Sequence, residues 1–388
     1  MLVSSRPLET ASPITAGATA RTVALYRYLL RLSQRPQWFF GFEDRLRGMP
    51  SENASPILWG NRDVFFNVTG KYPAAMQYEY HDPDWANRYG QTGADLTATA
   101  ITDAYRAGCI ISLHNHPGNP VTGAMSRNGQ SAFANQANNS TATGYWQDRS
   151  GSPLAAIKTG GAQEAQFLAF LDRFANFVTS LVDDNGQLIP VIWRPFHECS
   201  NTAHWWAGPD RQADFILVWQ KMVDYLRTTK GVTNLLYSLN FDAAAPDSAS
   251  PFSGWWPGPT YVDIVSFDAY DNRDPAGNYV SLEGDGLMSN TYNACRSLSL
   301  THGKPVMLAE FGYQLAVAAG TSGIYTTRTG DLIEQKYQRL CGGMSWGRGF
   351  GASWGITASS PTSSKNNLTA MVQDPQCITA DRLSGVYA

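Results

Sequence analysis

Two glutamates attract attention because each ends a short apolar segment. Glu198 ends the segment Leu-Ile-Pro-Val-Ile-Trp-Arg-Pro-Phe-His-Glu, and Glu310 lies in Pro-Val-Met-Leu-Ala-Glu-Phe-Gly, residues 305–312. Such segments predict buried strands, and an acidic residue at the end of a strand has left the packed sheet. Hydrolysis of a glycosidic bond needs two carboxyl groups, one to protonate the leaving oxygen and one to attack or to activate water. The pair therefore predicts glycoside hydrolysis.

Strand-like segments alternate with helical patterns along the chain, which favours a parallel sheet built from βαβ units. The clearest helices are predicted over residues 20–33, 163–182 and 210–229, where apolar residues recur every three or four positions. Eight strands with helices between most of them predict an α/β protein with the (β/α)8 fold, a TIM barrel. A doubly wound open sheet is the alternative, but no Gly-x-Gly-x-x-Gly turn follows an early strand. The predicted strands cover residues 36–44, 72–80, 108–116, 188–198, 234–240, 262–270, 305–310 and 343–346.

We expect a single catalytic domain over residues 20–388, preceded by an N-terminal extension over residues 1–19. Residues 121–161 and 243–260 are rich in small and polar residues, which predicts long loops over the carboxyl-terminal face of the barrel. Active sites of this fold lie at that face, where the strand ends converge. The predicted strand ends carry Glu43, Asp44, Glu79, His114, Glu198, Asp268, Tyr270, Glu310 and Trp346.

The composition excludes several classes of protein. Of the 388 residues, 43% are hydrophobic and 16% charged, and the net charge is −3, so the chain has no basic footprint for nucleic acid. No apolar run approaches the roughly 20 residues that span a bilayer. We expect a secreted monomer whose signal peptide is absent from this sequence. The five cysteines lie far apart, without metal-ligand spacing, and we expect buried free thiols.

Aromatic residues make up 12% of the chain, and two Trp-Trp pairs, at 205–206 and 255–256, lie in segments rich in Gly, Pro or both. Loops run over the surface, and an exposed indole there offers a flat apolar face to a sugar. We therefore expect at least one of Trp205 and Trp206 to stack on the substrate. Trp346, on the predicted eighth strand, is expected either to line the cleft or to fill the barrel.

The segments around both glutamates resemble glycoside hydrolase family 26, which contains mostly β-mannanases on a (β/α)8 barrel. Arg-Pro-x-His-Glu, ending at Glu198, resembles the acid/base motif on the fourth strand of that family, and Ala-Glu-Phe-Gly, residues 309–312, resembles its nucleophile motif on the seventh. Residues 112–114 with 119–120, 267–270 and 373–383 resemble three further family segments in the right order. The loop after the acid departs from the family pattern, because Cys199 follows Glu198 where the family usually has Asn. Ala203 and His204 occupy the stretch that usually carries another Trp.

The resemblance implies an endo-β-1,4-mannanase that hydrolyses mannan, glucomannan or galactomannan with retention, needing no metal and no cofactor. Glu198 would be the acid/base and Glu310 the nucleophile, with His197 and Tyr270 orienting Glu310 and Arg194 holding carboxylates. Retention predicts carboxyl groups about 5 to 5.5 Å apart, against roughly 6.5 to 9.5 Å for inversion. The substrate-binding residues that it implies are His114, Arg194, His197, Trp205, Trp206, Tyr270 and Trp346.

Several alternatives stay open at this point. The same mechanism would serve β-1,3-xylan or mixed-linkage β-glucan. His116 competes with His114 for the substrate-binding position, and Arg194 is equally expected as a structural ion-pair partner. The spacing of His114 and His116 would also suit a metal-dependent hydrolase, although few further histidines fall at strand ends. A non-catalytic carbohydrate-binding barrel is the remaining alternative.

Overall fold

The computed structural model describes residues 10–43, 60–80, 94–122, 146–243, 252–273, 279–280, 287–313, 332–346, 348–349, 352–353 and 362–387. Asp44, residues 123–145 of the predicted loop at 121–161 and residues 244–251 of the predicted loop at 243–260 lie outside these ranges. Among the described residues, helices that are both long and apolar enough to cross a membrane are absent.

Eight parallel strands form a closed barrel. Each strand pairs with the next along the chain, and the last pairs with the first, with Phe39 opposite Gly342. Closure confirms the predicted (β/α)8 fold and excludes the open doubly wound sheet. The strands are β1 (Trp38–Glu43), β2 (Ala75–Glu79), β3 (Ile110–His114), β4 (Val191–Arg194), β5 (Leu235–Asp242), β6 (Ile264–Arg273), β7 (Val306–Tyr313) and β8 (Leu340–Ser345).

Helices follow most of the strands, and those predicted over residues 20–33, 163–182 and 210–229 begin close to the predicted positions. The side-chain oxygen of Thr19 caps α1 (Ala20–Leu32) by accepting a hydrogen bond from the backbone N–H of Thr22 at 3.1 Å. In α5 (Glu164–Ser180) the buried face contains Phe167, Phe170 and Phe174, whose three- and four-residue spacing is that of one helix face. The helices are α1 (Ala20–Leu32), α2 (Gly60–Thr69), α3 (Ala94–Arg106), α4 (Pro153–Ile157), α5 (Glu164–Ser180), α6 (Gln212–Asp224), α7 (Leu287–His302) and α8 (Thr362–Gln373).

Two apolar layers hold the barrel together. The inner layer includes Phe39, Ile192 and Met307 from the strands, and Leu25 and Leu29 from α1 belong to the same cluster. We infer that α1 closes the amino-terminal end of the barrel, which leaves the carboxyl-terminal end for the site. In the outer layer, the alternate strand residues, which point away from the barrel interior, pack against the surrounding helices.

Residues 10–19, predicted as an extension, contact the barrel. The backbone N–H of Ile14 donates to Oδ1 of Asp263 at 2.8 Å, and the N–H of Thr19 donates to the carbonyl oxygen of Thr233 at 3.0 Å. Asp263 precedes β6, and its burial raises its pKa to about 6. The division at residue 20 stays a prediction. All five cysteines are described and buried, and none of them forms a disulfide, as expected.

Candidate active site

The carboxyl-terminal ends of the strands bring the predicted polar residues together. His114 ends β3, Arg194 ends β4, and Glu198 lies four residues beyond β4. Asp268 on β6 stands opposite Glu310 on β7 in the strand register, where a bulge shifts the pairing after Phe267. Trp346 directly follows β8. The site therefore draws on at least five of the eight strands.

Arg194 is the centre of a buried ion network. Strand alternation turns Trp193 outward, where it stacks on Phe174 with ring centroids 4.1 Å apart, and turns Arg194 inward. Nη1 of Arg194 lies 2.9 Å from both carboxylate oxygens of Asp268, and Nη2 donates to Oε1 of Glu310. The guanidinium is fully buried and stays cationic, because the two carboxylates outweigh the cost of burial and raise its pKa. Arg194 is therefore an ion-pair partner and part of the site at once.

Glu310 is held on both oxygens. The hydroxyl of Tyr270 donates to Oε2 at 2.5 Å, while Arg194 holds Oε1. Burial and the nearby Glu310 charge raise the pKa of Tyr270 well above its usual value, so its hydroxyl remains a donor. A carboxylate that accepts from a cation and a hydroxyl is stabilised in its ionised form. This is the setting that a nucleophilic carboxylate needs.

The loop after β4 presents Glu198 through a strained backbone. Phe196 and Glu198 have φ angles of 48° and 51°, a region that residues other than glycine rarely adopt. The turn is fixed from both sides, because the side-chain oxygen of Asn240 accepts from the Glu198 N–H at 2.7 Å and Nε1 of Trp206 donates to the His197 carbonyl at 2.8 Å. Strain that is held in this way is common at functional sites.

The environment of the Glu198 side chain favours the protonated carboxyl. Burial raises its pKa well above the usual value, and the charges of Asp242, Asp268 and Glu310 raise it further. A hydrogen bond from Nδ2 of Asn201 to Oε2, at 3.0 Å, opposes this shift. Trp193 is close in sequence but does not contribute to this setting, because its ring packs on Phe174 of the surrounding helices.

Glu198 and Glu310 lie close together. One carboxylate oxygen from each, together with one from Asp268, fall within 4.8 Å of one another. This close approach is compatible with the short separation of about 5 to 5.5 Å between carboxyl groups that accompanies retention. Three clustered carboxyl oxygens would also suit a cation, but the Arg194 guanidinium already pairs with Asp268 and Glu310.

Four of the six histidines gather beside this pair. The His197 ring lies 4.4 Å from His116, 5.3 Å from His114 and 5.6 Å from His204, measured between centroids. Burial, and then the proximity of His116 and Arg194, lower the pKa of His197 well below its usual value, so it is neutral at neutral pH. That His197 orients Glu310 stays a prediction; the ring contacts of His197 are with the other three imidazoles and Trp206. Its buried Nδ1 lacks a hydrogen-bond partner within the described part of the chain.

His114 and His116 each face a carboxylate. Nε2 of His114 is 3.6 Å from Oε1 of Glu43, and Nδ1 of His116 is 3.0 Å from Oε1 of Glu79. Glu79, His114 and His116 offer three ligand atoms within 4.8 Å of one another, a set that could hold a divalent metal. The Trp346 ring lies 5.7 Å from His114 and 6.4 Å from Tyr270, which puts it at the same end of the barrel.

The expectation for the tryptophan pair is wrong. Trp205 and Trp206 are both 0% exposed. Nε1 of Trp205 donates to the Pro117 carbonyl at 2.7 Å, so each indole N–H is satisfied by backbone and each ring packs against neighbouring loops. Neither ring is a surface platform for a sugar. Trp255 is buried too, and Trp256 is half-buried against His302.

The sequence did not single out two polar contacts of Glu198. Asn201 donates to its carboxyl, and Nε2 of His204 lies 3.7 Å from its Oε2. Both residues lie in the irregular loop between β4 and α6, where no periodic pattern indicates which way a side chain points. The only signal was their nearness in sequence to Glu198.

The charge of Asp242, at the end of β5, should influence the alkaline limb of the kcat/KM pH profile, where Glu198 loses its proton. Asp242→Asn removes a negative charge that raises the pKa of Glu198, so that pKa should fall. If Glu198 must be protonated to act, kcat/KM falls as pH rises through this pKa, and the fall should begin at lower pH in the variant. We expect a displacement of about half a unit to one unit in a kcat/KM pH profile. An unchanged profile, or a shift to higher pH, would contradict this electrostatic account.

A barrel with paired carboxyl groups at its carboxyl-terminal end is the architecture of a glycoside hydrolase. Residues 14–289 match the family model described as glycosyl hydrolase family 26, and the chain belongs to that family.

Relatives with known names agree with this assignment. A mannan endo-1,4-β-mannosidase of Bifidobacterium adolescentis is 30% identical over 76% of this chain and 27% of its own length. One of Thermothelomyces thermophilus is 26% identical over 66% of this chain and 47% of its own length. The chain thus spans less than half the length of either relative. A GH26 β-mannanase structure from Bacteroides ovatus has the same fold, with a TM-score of 0.74 and 21% identity over 95% of this chain and 98% of that one.

Proposed function

We propose that this chain is a retaining endo-β-1,4-mannanase acting on mannan, glucomannan or galactomannan. The observation that carries the proposal is the proximity of two carboxyl groups in opposite settings, a half-buried Glu198 that favours its proton and a Glu310 that Arg194 and Tyr270 hold as an anion. Two such groups, with oxygens within 4.8 Å, are what double displacement requires.

In the first step, a carboxylate oxygen of Glu310 attacks the anomeric carbon and forms a covalent glycosyl ester. The bond to the leaving oxygen breaks, and that oxygen takes the proton of Glu198. In the second step, the ionised Glu198 takes a proton from water, whose oxygen attacks the anomeric carbon from the opposite side and releases Glu310. Glu198 ends protonated, so the cycle closes without another reactant.

The other predicted residues receive roles that follow from their surroundings. Arg194 and Tyr270 position Glu310. We propose that His197, which is neutral, and His114, which lies beside Trp346, contact sugar hydroxyls, since both lie at the strand ends that carry the site. Trp205 and Trp206 would support the loop that carries Glu198 instead of contacting the substrate. We also propose secretion and a monomeric state.

The names of the relatives support mannan as the substrate class. The test is a screen of mannan, glucomannan, galactomannan, β-1,3-xylan and mixed-linkage β-glucan, with the products sized during the first few per cent of hydrolysis. We expect mannan chains to be cut into a range of oligomers, with little early release of monosaccharide. Hydrolysis of xylan or glucan in preference to every mannan would overturn the substrate assignment.

The same screen separates the rival functions. Because Glu79, His114 and His116 could hold a metal, each reaction is repeated with a strong chelator, and full activity is expected. A complete loss that added metal restores would favour the metal-dependent alternative. A protein that binds mannan but hydrolyses none of the polysaccharides would be the carbohydrate-binding barrel.

A further inference from the structure

His204 contacts the site without a role in the mechanism derived above. Its Nε2 lies 3.7 Å from Oε2 of Glu198, the same oxygen that accepts from Asn201 at 3.0 Å. A separation of 3.7 Å exceeds a hydrogen bond by about half an ångström. A small rotation of either side chain would therefore close it.

The His204 ring is held in this orientation. It lies between two indoles, 4.5 Å from Trp206 at an interplanar angle of 32° and 4.8 Å from Trp146 at 55°. Its backbone is fixed as well, because its N–H donates to the Asn201 carbonyl at 3.2 Å and its carbonyl accepts from Nη1 of Arg149 at 2.7 Å. The side chain is 2% exposed, so water competes little for its nitrogen. The two flanking indoles therefore restrict rotation of the imidazole and keep Nε2 near Glu198.

We infer that His204 is a positioning residue for Glu198, which donates its Nε2–H to Oε2 when Glu198 is ionised. The inference rests on the proposed function, in which Glu198 alternates between acid and base. When Glu198 is protonated, Asn201 holds Oε2 alone and the carboxyl keeps its proton for the leaving oxygen. When the proton has gone, a second donor stabilises the carboxylate and fixes the oxygen that must take a proton from water.

Other charged groups surround the pair, and the effect of His204 must be measured against them. His116 from the loop after β3 and His197 from the loop after β4 face the His204 ring, and Arg149 binds its backbone. Asp242 at the end of β5 acts on Glu198, as do Asp268 and Glu310. None of these groups is altered by a substitution at His204, so a change in Glu198 can be assigned to the lost donor.

The test compares His204→Phe, which keeps a ring between the two indoles but has no N–H, with His204→Gln, which retains a donor. Loss of the donor destabilises the carboxylate, so the pKa of Glu198 should rise in His204→Phe by about half a unit to one unit. The fall of kcat/KM at high pH should begin at correspondingly higher pH, opposite to the shift for Asp242→Asn. His204→Gln should return the profile toward that of the unaltered protein.

A second measurement keeps this inference separate from the proposed function. Carbon-13 NMR of the glutamate side-chain carboxyls follows the titration of Glu198 directly, with its signal identified by its loss in Glu198→Gln. If no polysaccharide is hydrolysed, the proposed function has failed, yet the NMR titration still reports whether His204 acts on Glu198. Equal pKa values in the unaltered protein and folded His204→Phe would overturn the inference. If His204→Phe does not fold, His204→Leu against His204→Gln gives the same comparison.

Discussion

Replacing Glu310 by alanine should lower kcat/KM on mannan by about 10⁴-fold or more, because no other group can form the covalent intermediate. The loss should appear in kcat, since the carboxylate acts on the reacting carbon. The measurement is steady-state hydrolysis of a soluble mannan. A matched control is Glu164→Ala on α5, which removes a partly exposed ion pair with Lys221 between two helices and should leave hydrolysis unchanged.

Folding must be checked in this variant, because Arg194 would keep only Asp268 as its anionic partner. Thermal unfolding of Glu310→Ala, followed by circular dichroism, should still show one cooperative transition. A folded variant that keeps more than a tenth of the original activity would exclude Glu310 as the nucleophile.

Replacing Arg194 by methionine should have the largest effect on stability. The substitution leaves Asp268 and Glu310 buried without their shared cation, and breaking a buried ion pair in this way costs about 3 to 5 kcal/mol. Urea denaturation at neutral pH measures the change in the free energy of unfolding. Arg106→Met is the matched control, because Arg106 also bridges two aspartates but on the exposed surface, where ion pairs contribute little.

The pH dependence of this effect has a definite sign. Without Arg194, burial raises the pKa values of the two carboxyls in the folded protein above their unfolded values. A group with a raised folded pKa favours the folded state at low pH, and this contribution is lost as pH rises. The destabilisation should therefore be smaller at about pH 4 than at pH 7. Equal stability of Arg194→Met and the unaltered protein at pH 7 would contradict the role of the cation.

The sequence was sufficient for the barrel because each strand is a short apolar run and each helix shows one periodic face. It also indicated that Glu198 and Glu310 converge, since parallel strands of a barrel end at one face. Alternation along β4 could have indicated that Trp193 and Arg194 point to opposite sides. Only the structure, however, shows that Arg194 joins Asp268 and Glu310.

The tryptophan pair and the contacts of Glu198 could not be predicted, for a common reason. Both depend on how irregular loops pack on one another, and such packing has no sequence period. Exposure of Trp205 or Trp206 was expected because loops usually run over the surface. Both rings are buried, and each indole N–H donates to a backbone carbonyl. His204 came within 3.7 Å of Glu198 through the same loop packing.

The most direct test of double displacement is the stereochemistry of azide rescue. In Glu310→Gly, azide fills the space of the lost carboxylate and should displace an activated leaving group from a β-mannoside to give an α-glycosyl azide. In Glu198→Ala, the glycosyl ester on Glu310 still forms from such a substrate, and azide attacking from the opposite side should give a β-glycosyl azide. Proton NMR of the two products distinguishes the anomers. Double displacement by Glu310 and Glu198 predicts the α anomer from the first variant and the β anomer from the second; the reverse pattern, or one anomer from both, would contradict these roles.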